Sequence, residues 1–161
     1  MARNDSSAAV QSSVLDRLLD DDPEVLSEPP RDLRQSVRDL RAAIRRDLED
    51  LLNTRTRCRP WPKGLDQVDR SLLAYGVPDL TGANLASPAA RRDFLRTIEA
   101  AIRRSEPRFK SVKIALPDDV DPHGRTLHFR IEAVVHAEPV PESIVFDSQL
   151  EPLTRTFELK V

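Results

Sequence analysis

Aromatic side chains are scarce in this chain, at 4% of 161 residues, with one Trp and one Tyr. Sites that hold sugars or single-stranded nucleic acid commonly stack their ligands on aromatic rings, so the shortage counts against both. Glycine is rarer still, and the four present form no phosphate-cradling loop. A lone cysteine, Cys58, excludes an internal disulfide and fits a reducing compartment. No apolar run approaches the roughly 18 residues that a membrane span requires. The opening MARNDSSAAVQSS lacks the apolar stretch of a secretory signal. A soluble, cytoplasmic protein with no membrane insertion is expected, and at this length one compact domain that needs neither metal nor disulfide.

What is present is charge, and it is segregated. Residues 1–30 carry two basic and seven acidic side chains, whereas residues 31–63 carry ten basic and five acidic. Opposite blocks this close can steer partners or each other. The arginines of the basic block are interrupted by Asp32, Asp39, Asp47, Glu49 and Asp50, many of them three or four residues from an Arg. That spacing favours pairing along one helix over a surface for phosphate, so nucleic-acid binding is only a rival reading.

The pattern along the chain divides it in two. Residues 1–30 are expected to be a mostly disordered tail with a short amphipathic helix at about 13–20, where Val14, Leu15, Leu18 and Leu19 gather on one side. Such a helix is too short to stand alone and must dock, either on its own domain or on a partner. Residues 31–161 are expected to form one α+β domain. Leu33, Val37, Leu40, Ile44, Leu48 and Leu51 recur at helical spacing, predicting a helix over about 31–52 with Asn53 as its C-cap. A shorter helix is predicted at about 65–75 from Leu65, Val68, Leu72 and Leu73. A third begins with Ser87 as N-cap and Pro88 at its first position, buries Phe94, Ile98, Ala101 and Ile102, and ends before Pro107.

From Phe109 onward the apolar period drops to two. Val112, Ile114 and Leu116 mark one strand, and Leu127, Phe129, Ile131, Ala133 and Val135 a second. Signals around 143–147 and 153–160 give two more strands or one bent strand, with Leu153, Phe157, Leu159 and Val161 sharing a face. Helices first and antiparallel strands last predict N-terminal helices on one face of a three- to four-stranded antiparallel sheet.

Catalytic and metal-binding patterns are thin. His128 and His136 are eight residues apart on one strand, roughly 26 Å at standard rise, too far for one ion, and His123 falls in a turn. Cys58 sits among Arg55, Arg57 and Arg59, which can lower a thiol pKa, but no base is near it in sequence. Glycoside hydrolysis needs two carboxylates roughly 5–10 Å apart. Glu106 is a candidate acid, yet the pattern nominates no second carboxylate, which leaves a peptidoglycan hydrolase as a rival reading. No cofactor, metal or small-molecule substrate is expected.

Five ordered stretches carry a family likeness. They are Ser13-Val14-Leu15-Asp16-Arg17-Leu18 with the acidic run behind it, Leu51-Leu52-Asn53-Thr54-Arg55, Ser71 through Leu80, Glu106-Pro107-Arg108, and Phe146-Asp147-Ser148. Together they resemble the TssE family, the baseplate subunits of bacterial type VI secretion machines, and the related baseplate wedge proteins of contractile phage tails. The resemblance implies a non-enzymatic assembly part beside TssF and TssG, with TssK a further candidate partner, close to the contractile sheath. It also implies that the strands offer a free sheet edge as a template for sheath growth.

Two contact regions follow from that likeness. Pro107 stiffens the helix-to-strand corner, from which Glu106 and Arg108 project. They are expected either to meet neighbouring subunits or to staple the corner internally. Under the first alternative, replacing Glu106 or Arg108 leaves folding intact and blocks assembly. Leu15, Leu18 and Leu19 are the expected grip on a wedge partner.

Overall fold

The computed structural model describes residues 33–57, 71–79, 87–116, 126–136, 141–151 and 156–160, with isolated positions at 14, 18, 23–24, 62, 64–65, 67–68 and 154. Structural statements below concern these residues. The expectations for Leu15, Leu19, Cys58, His123, Leu153 and Val161 fall outside them, as does most of the 1–30 tail.

Helix α1 spans Leu33–Asn53 and helix α2 spans Pro88–Ser105. The repeating apolar positions of α1 bury Leu40, Ile44, Leu48 and Leu51, joined by Ala43 and Leu52. Ser87 stands at the start of α2 without a side-chain cap bond, so Pro88, whose fixed φ suits a first turn, is the clearer start signal. Phe94, Leu95, Ile98, Ala101 and Ile102 form its buried side. Its last main-chain bond runs from the Glu106 N–H to the Ile102 carbonyl, 2.8 Å, and Pro107 then ends it.

Four strands follow: β1 Phe109–Ala115, β2 Leu127–Val135, β3 Glu142–Glu151 and β4 Thr156–Lys160. They form one antiparallel sheet in chain order, so β1 and β4 are its edges. The alternation predicted for β2 holds, with Leu127, Phe129, Ile131, Ala133 and Val135 all buried. Ile144, Phe146 and Leu150 of β3 and Phe157 and Leu159 of β4 continue that face, and both helices pack on it. Phe129 and Phe157 meet edge to face, centroids 6.0 Å apart. His128, Arg130 and Glu132 turn to the open face, where Arg130 pairs with Asp147 at 2.8 Å.

Among the described residues of 65–75 the winding is 3₁₀ rather than the predicted α-helix, at positions 67–68 and at Leu72–Ala74, the latter capped by the Ser71 side chain, which accepts from the Leu73 N–H. Leu65, Leu72 and Leu73 are exposed, Leu72 at 88%. The apolar face of the sheet is already occupied by α1 and α2, and so short a run gains no helix stability alone. The chain instead extends through Gly76 to Val77, which exchanges main-chain bonds of 2.9 Å with Thr54 and Thr56.

Candidate functional site

Three features stand out as places where this fold could meet or refuse another chain: the Pro107 corner and the two sheet edges.

At the corner the sequence brings Glu106 and Arg108 two residues apart, and folding adds a third residue from α1. Arg108 Nε donates to Glu106 Oε1 at 2.6 Å, and its Nη2 donates to both Glu106 Oε2 and Asp47 Oδ2, the latter at 2.6 Å. Arg46 holds the other Asp47 oxygen from Nη2 at 3.0 Å. Glu106 is only 7% exposed. Burial opposes the charge on Arg108, but hydrogen bonds and attraction from Glu106 and then Asp47 raise its pKa above the ordinary arginine value. One guanidinium nitrogen, Nη1, is buried without a partner among the described residues.

These side chains therefore form an internal staple between α1 and the α2–β1 corner. Of the two alternatives for the corner, the internal ion pair is the one present in the free chain, and Arg108 is what balances the buried Glu106 carboxylate. Pro107, by contrast, is exposed.

The staple also supplies the second carboxylate that sequence could not nominate, Asp47. Its geometry does not suit sugar cleavage. Both acids face one guanidinium, and Glu106 is buried, whereas a general acid needs an oxygen turned toward a substrate. A cleft of about 250 Å³ lies beside α2, bounded by Thr97, Ala100, Arg104, Leu73 and Pro78, and no carboxylate is among its described lining residues. Among the described residues no group of three or more His, Cys, Asp or Glu could hold a metal. His128 and His136 are exposed.

The two edges differ. At β4, Phe157 donates its N–H to Asn53 Oδ1 at 2.8 Å and its carbonyl accepts from Asn53 Nδ2 at 3.1 Å. Two residues on, the Leu159 N–H reaches Glu49 Oε1 at 3.3 Å. Asn53 is the last residue of α1, and its amide is laid along a strand. α1 therefore covers part of this edge. At β1, among the described residues, Arg103 reaches the main chain, its Nη2 donating to the Val112 carbonyl at 3.2 Å.

At the N-terminal end, Val14 and Leu18 are helical and exposed, Leu18 at 75%. Among the described residues no helix is long and apolar enough to cross a membrane.

Comparison with protein families finds that the model described as "Baseplate wedge protein gp25" matches residues 38–140, nearly two-thirds of the chain. The matched region runs from α1 through β2 and contains the whole corner staple. No curated protein matches the chain.

Proposed function

From the baseplate wedge protein gp25 family, to which this chain belongs, we propose its finer role: the type VI secretion form of that wedge subunit. TssE is the type VI homologue of gp25, and the family gives the chain a structural role in a phage tail-like baseplate. In the proposed role it joins TssF and TssG, with TssK a further candidate, to the contractile sheath and helps sheath polymerisation begin. It works on the cytoplasmic side of a membrane-docked machine and is not an enzyme.

The observation that carries this reading is the four-stranded antiparallel sheet, whose outer row at β1 is only partly covered. A neighbour's strand can continue such a row, with main-chain hydrogen bonds supplying affinity. Glu106, Pro107 and Arg108 are proposed to meet wedge or sheath neighbours as a shape. Pro107 lies at the surface, while the ion pairs of Glu106 and Arg108 hold the corner rigid beneath it. The exposure of Leu18 supports Leu15, Leu18 and Leu19 as the grip on a wedge partner, since this apolar side chain is left to solvent.

A pull-down of TssF–TssG by the full chain and by a form lacking residues 1–25 tests the grip. Loss of binding on truncation is expected, and undiminished binding removes it. Clearing of a cell-wall suspension by the purified chain would instead restore the hydrolase reading.

A further inference from the structure

Two exposed features of this chain complement each other in chemistry, and the single chain keeps them apart. The first is the turn at Leu72–Ala74 with the cleft beside it. The turn is fixed at both ends. The Ala74 N–H donates to the Ser71 carbonyl at 3.0 Å, and the Tyr75 N–H to the Leu72 carbonyl at 3.2 Å. Val77 then ties the segment to Thr54 and Thr56. Leu72 and Leu73 are thus held out in solvent, 88% and 63% exposed, on a fixed turn rather than a fraying loop. Leu73 itself lines the cleft, with Pro78 and Ala100 beside it as an apolar wall.

At about 250 Å³ the cleft is smaller than the roughly 300–1,000 Å³ that hold whole small molecules, a size that suits the side chains of a peptide. Two cations border it, Arg57 and Arg104, and no carboxylate is among its described lining residues. Arg104 is anchored by the turn, its Nη2 donating to the Ala74 carbonyl at 3.1 Å. A guanidinium has five N–H groups, so one anchor leaves the fork able to take a carboxylate.

The second feature is the N-terminal segment. Val14 and Leu18, one helical turn apart, are 70% and 75% exposed. Leu15 and Leu19 adjoin them in sequence, and Asp20, Asp21 and Asp22 follow at once. Residues 13–24 hold five acidic side chains against one basic. An apolar turn followed by a run of carboxylates is the complement of an apolar wall bordered by two guanidiniums. Because Val14 and Leu18 stand in solvent in the single chain, a second molecule is what can bury them.

We propose that this second molecule is another copy of the chain. Residues 14–22 of one copy lie in the Leu73–Arg104 cleft of the other, leucines against Leu73 and Ala100, and Asp20, Asp21 and Asp22 facing Arg57 and Arg104. The exchange is reciprocal, so the pair closes on itself instead of growing into a filament. Fourteen residues lead from Leu19 to Leu33 and extend up to about 46–50 Å. That exceeds the length of α1, about 31 Å, and allows the segment to cross to its partner. The pairing goes beyond the wedge role because it concerns the chain before assembly; a wedge partner that grips the same leucines would replace the second copy.

Sedimentation equilibrium of the purified full chain tests it. The weight-average mass should rise with concentration from 18.2 kDa toward twice that value, and less steeply at high salt, which screens surface charge. A constant 18.2 kDa at millimolar concentration would overturn the proposal. Charge exchange then identifies the contact. One variant carries Asp20→Lys, Asp21→Lys and Asp22→Lys, and another carries Arg57→Glu and Arg104→Glu. Each alone should pair about a hundredfold less well, because like charges then face each other. Their mixture should pair as the parent does, since each segment again meets a cleft of opposite charge. A chain carrying both sets should likewise pair with itself. Unchanged pairing of either variant alone would overturn the proposal. So would a mixture that fails to pair although both variants keep the parent's circular dichroism.

Discussion

Asn53 and Phe157, 104 residues apart, are joined by two hydrogen bonds in which one side-chain amide answers both the N–H and the carbonyl of a single strand residue. Asn and Gln carry a carbonyl acceptor and an NH2 donor side by side on one planar amide, and Asn has the shorter reach. The pair fastens the C-terminal end of α1 to the last strand and closes that strand against outside pairing.

Asn53→Ala should therefore destabilise the fold by about 1–3 kcal/mol, the cost of leaving part-buried main-chain groups unmet. Asn53→Asp keeps the acceptor for the Phe157 N–H but sets a carboxylate against its carbonyl, and should not rescue. Urea denaturation measures both. An Asn53→Ala variant as stable as the parent would show that the clasp contributes nothing.

At the corner, Arg108→Ala should cost about 3–5 kcal/mol, because it leaves the buried Glu106 carboxylate without its partner, and Glu106→Ala should cost less, because Arg108 keeps its bond to Asp47. The double replacement Glu106→Ala with Arg108→Ala should cost less than the sum of the two singles. Chemical denaturation in a double-mutant cycle reads this directly. Additive effects would contradict the staple.

Gly76 has φ +103, and a Cβ there would lie 2.5 Å from the Thr54 carbonyl oxygen. Gly64 has φ +94 with nothing within 4 Å of the same atom. Gly76→Ala should therefore cost more than about 2 kcal/mol, combining positive-φ strain with a backbone clash. Gly64→Ala should cost about 1 kcal/mol, from backbone strain alone. Equal losses on thermal unfolding would contradict the close approach of the 54–56 and 76–77 segments.

Burial, and then the charges of Asp50, Asp47 and Glu106, raise the pKa of the Tyr75 phenol above 10.0. A raised folded-state pKa contributes stability that is complete below the unfolded value and is lost as pH rises through the folded one. Stability should thus fall above about pH 10. Because the chain has one tyrosine, tyrosinate absorbance reports it alone. The native midpoint should lie above that in urea, and coincident midpoints would contradict the placement of Tyr75.

Local pattern revealed most of this fold. The spacing from Leu40 to Leu51 marked α1, Pro88 and Pro107 bracketed α2, and the change to a period of two at Phe109 announced the sheet. What stayed hidden was non-local. Asp47 lies 61 residues from Arg108, so nothing in the pattern around Glu106 could reveal its neighbour. Asn53 read as a helix cap because its partner strand was 104 residues away. The failed helix at 65–75 shows the converse. Leu65, Leu72 and Leu73 had the right spacing, but no apolar surface remained for them, and spacing alone does not report competition for a core.

The role proposed for this chain is a structural one in building the sheath. Counting fluorescent sheaths in cells that lack this chain, and in the same cells with it restored, tests that role most directly. Sheaths should vanish on deletion and return with the intact chain. Sheaths forming in normal number without it would contradict the account.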